Sequence, residues 1–288
     1  MIMDELYARV AERGYVCLGL DTAPDYIPAD FAARYPSVGE RLLAFNRRIV
    51  DATADIVACY KVQISYYEAC GLQGLAAYRD TLRYVREKGV PVIADVKRGD
   101  IASTAAQYAK AHFTGDFEAD FVTLNPYMGF DTLEPWLPYF ESGRKGAFAL
   151  VRTSNPGAKD IEYRTCEGKR IYEVVGEGVR DVGARFVGRS GYSGLGAVVG
   201  CTDVAEAARL RAALNTVFFL IPGYGAQGGG AAEIATLLRG GNGGVVNSSR
   251  AILLGYRKHP GGEARFDEYA RMEAVSMNEE IRRAITFS

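Results

Sequence analysis

Val90-Pro91-Val92-Ile93-Ala94-Asp95-Val96-Lys97-Arg98-Gly99-Asp100 begins as an unbroken apolar run, ends in alternating charges, and leads directly into a helical pattern over Ile101–His112. The apolar run predicts a fully buried strand. Side chains alternate along a strand, so Asp95 and Lys97 share one face and Val96 takes the other. A core rarely keeps an anion beside a cation, because buried charge is costly unless tightly paired. A site that stabilises charge in a reacting molecule has a use for such a pair. A strand that ends in chemistry and runs into a helix is one βα unit.

The same unit recurs along the chain. Apolar runs predict strands at Val16–Leu20, Ile56–Lys61, Val92–Val96, Phe121–Leu124, Ala147–Val151, Gly196–Val199, Val217–Ile221 and Gly243–Val246. Helical patterns lie between them at Val38–Ala54, Gly74–Lys88, Ile101–His112, Thr132–Phe140, Tyr172–Phe186, Val204–Leu214 and Ala231–Leu238, with a last one over Arg265–Ile285 and a first over Met1–Ala11. Eight strand–helix units in 288 residues predict an α/β fold, a (β/α)8 TIM barrel forming a single domain over residues 1–288. A doubly wound open sheet is the rival architecture. Three connections are long: Asp21–Ser37, Asn125–Asp131 and Arg152–Arg170. All follow strands, on the C-terminal face where barrels build their sites.

Composition narrows the function. Net charge is −1 with both signs dispersed, so no basic block points to nucleic acid or a membrane surface. Any phosphate recognition is therefore local. The five cysteines are widely spaced, which argues against a disulfide framework and for a reducing, cytoplasmic setting. The two histidines lie in no ligand-like cluster, so a His/Cys zinc site is not expected. The apolar stretch Tyr15–Leu20 is too short for a signal peptide or a membrane span.

Polar residues gather at the predicted strand ends. Strand one ends in Asp21, strand two in Lys61, and strand three in Asp95 and Lys97; Thr153 and Ser154 follow strand five. Strand seven runs into Pro222-Gly223-Tyr224-Gly225-Ala226-Gln227-Gly228-Gly229-Gly230, and strand eight into Asn247-Ser248-Ser249-Arg250. Glycine-rich turns let backbone N–H groups approach an anion, and barrels often hold phosphate after strands seven and eight. Arg250 could add a bidentate contact. Plainer readings exist for each residue. Asp21 could brace the proline-rich loop, Lys61 could snorkel, Ser154 could serve a turn, and Asp100 could cap the following helix. Asp95 and Lys97 could be a structural ion pair. Together, Lys61, Asp95, Lys97 and Asp100 could instead form an alternating, self-balancing array.

In combination these features resemble the orotidine 5′-phosphate decarboxylase family. The resemblance rests on D-x-K-x-x-D from Asp95 to Asp100, Lys61 on the preceding strand, P-G-x-G-A-Q-G-G from Pro222, and Arg250 after the last strand. The length and the Asn125-Pro126-Tyr127-Met128-Gly129 segment resemble the longer bacterial branch. The resemblance implies cofactor-free, metal-free conversion of orotidine monophosphate to uridine monophosphate, the last step of de novo pyrimidine synthesis, by a homodimer with active sites at the interface. It implies that Lys97 donates the proton and Asp95 faces the substrate carboxylate. Asp21 and Lys61 would hold the ribose hydroxyls. Asp100, Ile101 and Thr104 would reach the partner's site. Ser154 and Gln227 would contact the pyrimidine, Pro222 would line the substrate site, and Ser249 and Arg250 would bind phosphate. The short form of the family usually has glycine where this chain has Ser249, and it offers no clear counterpart to Arg152–Arg170. Two rivals remain: a magnesium-dependent sugar-phosphate decarboxylase or aldolase of the same barrel superfamily, and a non-catalytic phosphometabolite-binding protein. Lys61 argues against the first, since its ammonium would repel a divalent cation where those relatives have an acidic ligand.

Overall fold

All eight apolar runs form parallel strands in a computed structural model that describes residues 1–200, 203–223 and 231–286. The strands are β1 (Val16–Gly19), β2 (Cys59–Gln63), β3 (Val92–Arg98), β4 (Phe121–Leu124), β5 (Gly146–Arg152), β6 (Leu195–Val199), β7 (Phe219–Ile221) and β8 (Gly244–Ser248). Each pairs with the next, and β1 pairs with β8 through Val16↔Val246, Cys17↔Asn247 and Leu18↔Ser248, so the sheet closes into a barrel. The open-sheet alternative is thereby excluded.

Strand periodicity divides the barrel's residues into an inner and an outer set. Val16, Leu18, Val92, Ala94, Val122 and Val246 pack outward against the helices. Cys17, Cys59, Ile93, Phe121, Phe148, Phe218 and Val245 form a separate interior cluster. Phe121 and Phe148 meet there with ring centroids 5.3 Å apart. The helix Ile2–Arg13 sets Ile2, Met3, Leu6 and Val10 into the same cluster and closes the N-terminal end of the barrel. This apolar plug forms a floor. The next inward position on each strand, two residues on, forms a layer above it.

Two helical regions differ from the sequence pattern. Thr132–Phe140 is a 3-10 helix, Phe130–Trp136, followed by one α-turn, Leu137–Phe140. Pro135 and Pro138 remove the N–H donors a continuous α-helix needs there. Trp136 still packs inward, edge-on to Phe113 at 5.6 Å. Tyr172–Phe186 is an α-helix, Ile171–Gly183, ending in a 3-10 turn, Ala184–Phe186. The Arg152–Arg170 connection carries a one-turn helix, Ala158–Ile161, and a small antiparallel ribbon pairing Thr165–Cys166 with Lys169–Arg170.

Candidate active site

The layer above the apolar floor is the candidate site. Counting two residues on from the floor gives Lys61 on β2, Asp95 on β3, Thr123 on β4, Leu150 on β5, Leu220 on β7 and Asn247 on β8. These side chains, with Val198 of β6, line one cavity of about 220 Å³. The layer is polar over β2, β3, β4 and β8 and apolar over β5, β6 and β7. On β1 the corresponding residue is Gly19. A Cβ there would lie 2.9 Å from the Ser249 Cβ and 3.0 Å from the Asn247 Oδ1, so only glycine fits. Lys97, Thr153, Ser154, Asn155 and Pro222 rise around the mouth of the same cavity.

The charges form a continuous chain. Lys61 Nζ donates to Asp21 Oδ1 at 3.0 Å and to Asp95 Oδ2 at 2.9 Å, and Lys97 Nζ donates to Asp95 Oδ1 at 2.6 Å. Gln63 Nε2 and the Thr123 hydroxyl complete the shell of Asp95 at 3.0 and 2.9 Å. The side chains of Lys61 and Asp95 are each 7% exposed, whereas that of Lys97 is 46% exposed. Burial alone would raise the Asp95 carboxyl, but Lys61 and Lys97 outweigh it and hold it well below the usual carboxylate range. Burial would draw Lys61 down, but Asp21 and Asp95 keep its ammonium above the ordinary lysine value. Asp95 and Lys61 are thus both ionised at neutral pH, and the accessible cation is Lys97.

The local fold that aims Lys97 is more elaborate than simple alternation. Between β3 and β4 the register runs Ala94↔Val122 and then Arg98↔Leu124, so β3 carries extra residues in a bulge. Lys97 adopts φ +44°, a left-handed conformation that costs a non-glycine residue about 1 kcal/mol. The Thr123 hydroxyl pins the bulge by accepting the Val96 and Lys97 N–H groups at 3.0 and 2.9 Å. The bulge folds Lys97 back onto Asp95.

Asp100 stands apart. Within one chain the alternating array is Asp21–Lys61–Asp95–Lys97, and Asp100 is not part of it. Asp100 forms no ion pair among the described residues, and its Oδ1 accepts the Ile101 N–H at 2.8 Å. The helix begins at Ala102 with Ile101 as its N-cap, so Asp100 is not the cap either. Ile101 and Thr104 are exposed beside it. Ser249 occupies the N-cap position of the short helix Arg250–Leu253 without a side-chain capping bond, and Arg250 is exposed at its start. Gln227 lies outside the described residues.

Thr123 and Gln63, the polar partners of Asp95, are the residues that charge and motif reading did not name, and Asn247 was quoted at the end of strand eight without a role. The two-residue step up from the apolar floor finds both Thr123 and Asn247. Among the described residues no helix is long and apolar enough to cross a membrane, and Cys17, Cys59, Cys70 and Cys166 are free thiols.

Residues 14–261 match the model of the family described as orotidine 5′-phosphate decarboxylase / HUMPS. The chain is 58% identical to the orotidine 5′-phosphate decarboxylase of Clostridium acetobutylicum, covering 99% of this chain and 100% of the relative. It is 56% identical to that of Clostridium perfringens, over 99% of both chains. The solved OMP decarboxylase of Leishmania donovani superposes with a TM-score of 0.76 at 31% identity, over 99% of this chain and 98% of that one.

Proposed function

The chain belongs to the orotidine 5′-phosphate decarboxylase / HUMPS family, and from that membership we propose how its site converts orotidine 5′-phosphate and a proton into uridine 5′-phosphate and carbon dioxide, closing de novo pyrimidine synthesis. One observation carries the reading: the Lys61 ammonium lodged between Asp21 and Asp95, with Lys97 on the far side of Asp95. In a metal-using relative a divalent cation would sit among acidic ligands in this region. Here a lysine ammonium bridges the two carboxylates and would repel it.

The chemistry follows from where charge moves. Asp95 is held ionised by two lysines, and the substrate carboxylate sits against it, which raises the energy of the bound carboxylate. As the carbon–carbon bond breaks, the electron pair stays on the ring carbon and neutral carbon dioxide leaves past the apolar wall of Leu150, Val198 and Leu220. The negative charge then faces Lys97, whose fixed ammonium is attracted more strongly as that charge localises. Lys97 delivers its proton to the carbon and is recharged from solvent. Asp21 and Lys61 hold the ribose hydroxyls, and Ser154, Pro222 and Gln227 address the base. Ser249 and Arg250 take the phosphate, whose binding energy orders the site around the reacting ring.

Asp100, Ile101 and Thr104 complete the site of a second copy in a homodimer. Exposed apolar residues Ile101, Tyr127 and Met128 near the β3 and β4 ends support that assembly. The direct test is the ultraviolet absorbance change on mixing purified protein with orotidine monophosphate in excess chelator. Conversion undiminished by chelator is expected. Activity abolished by chelator and restored by magnesium, or no conversion at all, contradicts the reading.

A further inference from the structure

The Arg152–Arg170 connection carries Ser154 to the cavity mouth, and both of its ends close on one carboxylate. Glu206 lies in the first turn of the helix Val204–Ala213, with its own N–H bonded to Asp203 Oδ1 at 2.7 Å. Its Oε2 accepts from Arg152 Nη2 at 2.6 Å and its Oε1 from Arg170 Nη1 at 2.7 Å. Tyr172 donates to Oε1, and Tyr163, inside the loop, reaches Oε2 at 3.3 Å. Arg152 and Glu206 are buried, with side chains 4% and 6% exposed. The Arg170 guanidinium lies 4.8 Å from the Tyr163 ring centroid, which ties the loop's return to its middle.

Further contacts fix the segment around Ser154. Arg152 Nη1 donates to the Gly200 carbonyl at the end of β6. Glu162, within the loop, accepts the Thr153 N–H at 2.8 Å and the Thr153 hydroxyl at 2.6 Å. Ser154 itself is wedged against the neighbouring strand ends. A Cβ on Gly200 would lie 3.0 Å from the Ser154 Cβ and 3.3 Å from Pro222 Cγ, so the close approach depends on glycine there. Without the carboxylate, two guanidinium groups would be left side by side and the loop ends would repel.

We propose that Glu206 is a positioning residue for the reaction: by gripping both ends of the Arg152–Arg170 loop it sets Ser154 against the pyrimidine site before substrate arrives. Substrate binding then does not have to order this loop, so less binding energy is lost. The inference rests on the reading of Ser154 as a base contact.

A double-mutant cycle on steady-state kinetics with orotidine monophosphate tests it. Ser154→Ala is expected to lower kcat/KM about tenfold, the effect of one lost hydrogen bond. Glu206→Gln is expected to lower it by a similar factor, mainly through a raised KM. The double variant is expected to be no worse than Ser154→Ala alone. Arg170→Gln, at the half-exposed arm, gives the same change more mildly and serves if Glu206→Gln folds poorly. Simple structural damage would lower kcat in proportion to the unfolded fraction and leave KM unchanged. Additive losses in the double variant, or an unchanged KM in both Glu206→Gln and Arg170→Gln, overturn the proposal. A wild-type kcat/KM for Ser154→Ala instead removes the base contact itself, a separate failure that takes the inference with it.

Discussion

Thr123 uses one hydroxyl for three bonds: it accepts two N–H groups of the β3 bulge and donates to Asp95. Thr123→Val keeps the shape and removes all three, leaving buried amides unsatisfied at a cost of about 2–3 kcal/mol. Lys97 would lose the support for its left-handed backbone, and turnover should fall roughly 10- to 100-fold, since small displacements of a reacting group are costly. Thr123→Ser should stay near wild type. Rates and thermal melts of the two variants together check this, and equal rates would show that the hydroxyl does not position Lys97. Asp95, Lys97 and Lys61 were legible in the sequence because charge interrupts apolar runs there. Thr123 was not, because threonine is an ordinary strand residue. Its role comes from the bulge, which no local pattern announces.

The strands were legible for the reason that makes a parallel barrel stable: strands buried on both faces read as continuous apolar runs. Phe121–Leu124 matches residue for residue. The second strand lies further along than its apolar run, at Cys59–Gln63, because the Val57 and Ala58 carbonyls are taken by Arg9 at the floor of the barrel. The junction of β3 with the helix Ala102–Phe113 is the element with most at stake. Left-handed Lys97 and Ala102 bracket it, and strain of this kind clusters at functional sites. It presents Asp95 and Lys97 inward, leaves Asp100 half-buried, and exposes Ile101 and Thr104. If Asp100 serves the partner's site, mixing Lys97→Ala and Asp100→Ala subunits should restore activity. Random exchange makes half the dimers hybrid, each with one intact site, so recovery should approach about a quarter of wild type. No recovery despite demonstrated subunit exchange would place Asp100 outside the site.

The whole molecule is a closed barrel with a sealed apolar floor, so removing a floor side chain should unfold rather than retune it. Phe121→Ala should cost roughly 3–5 kcal/mol. Among the sources of its pH response is His112, 2% exposed, whose Nδ1 has no hydrogen-bond partner among the described residues. Burial, aided by the positive charge of Arg98, pushes the imidazole from its ordinary value near 6.5 down to about 4. The folded protein therefore holds His112 neutral while the unfolded chain can protonate it. Its contribution is fully present above pH 6.5 and is lost as pH falls towards 4, about 3 kcal/mol in all. Denaturant midpoints measured across that window should fall with pH, and His112→Gln should flatten the dependence; an unchanged slope would assign it to other groups. Folding and catalysis are separable in this architecture, because the charge array stands on the floor and does not form it. The most direct measurement is therefore the turnover of orotidine monophosphate by Lys97→Ala, with its fold confirmed by circular dichroism and an unchanged melting temperature. Loss of nearly all decarboxylation in a folded protein is the expected result, and near-wild-type turnover would contradict the central claim that Lys97 meets the developing carbanion.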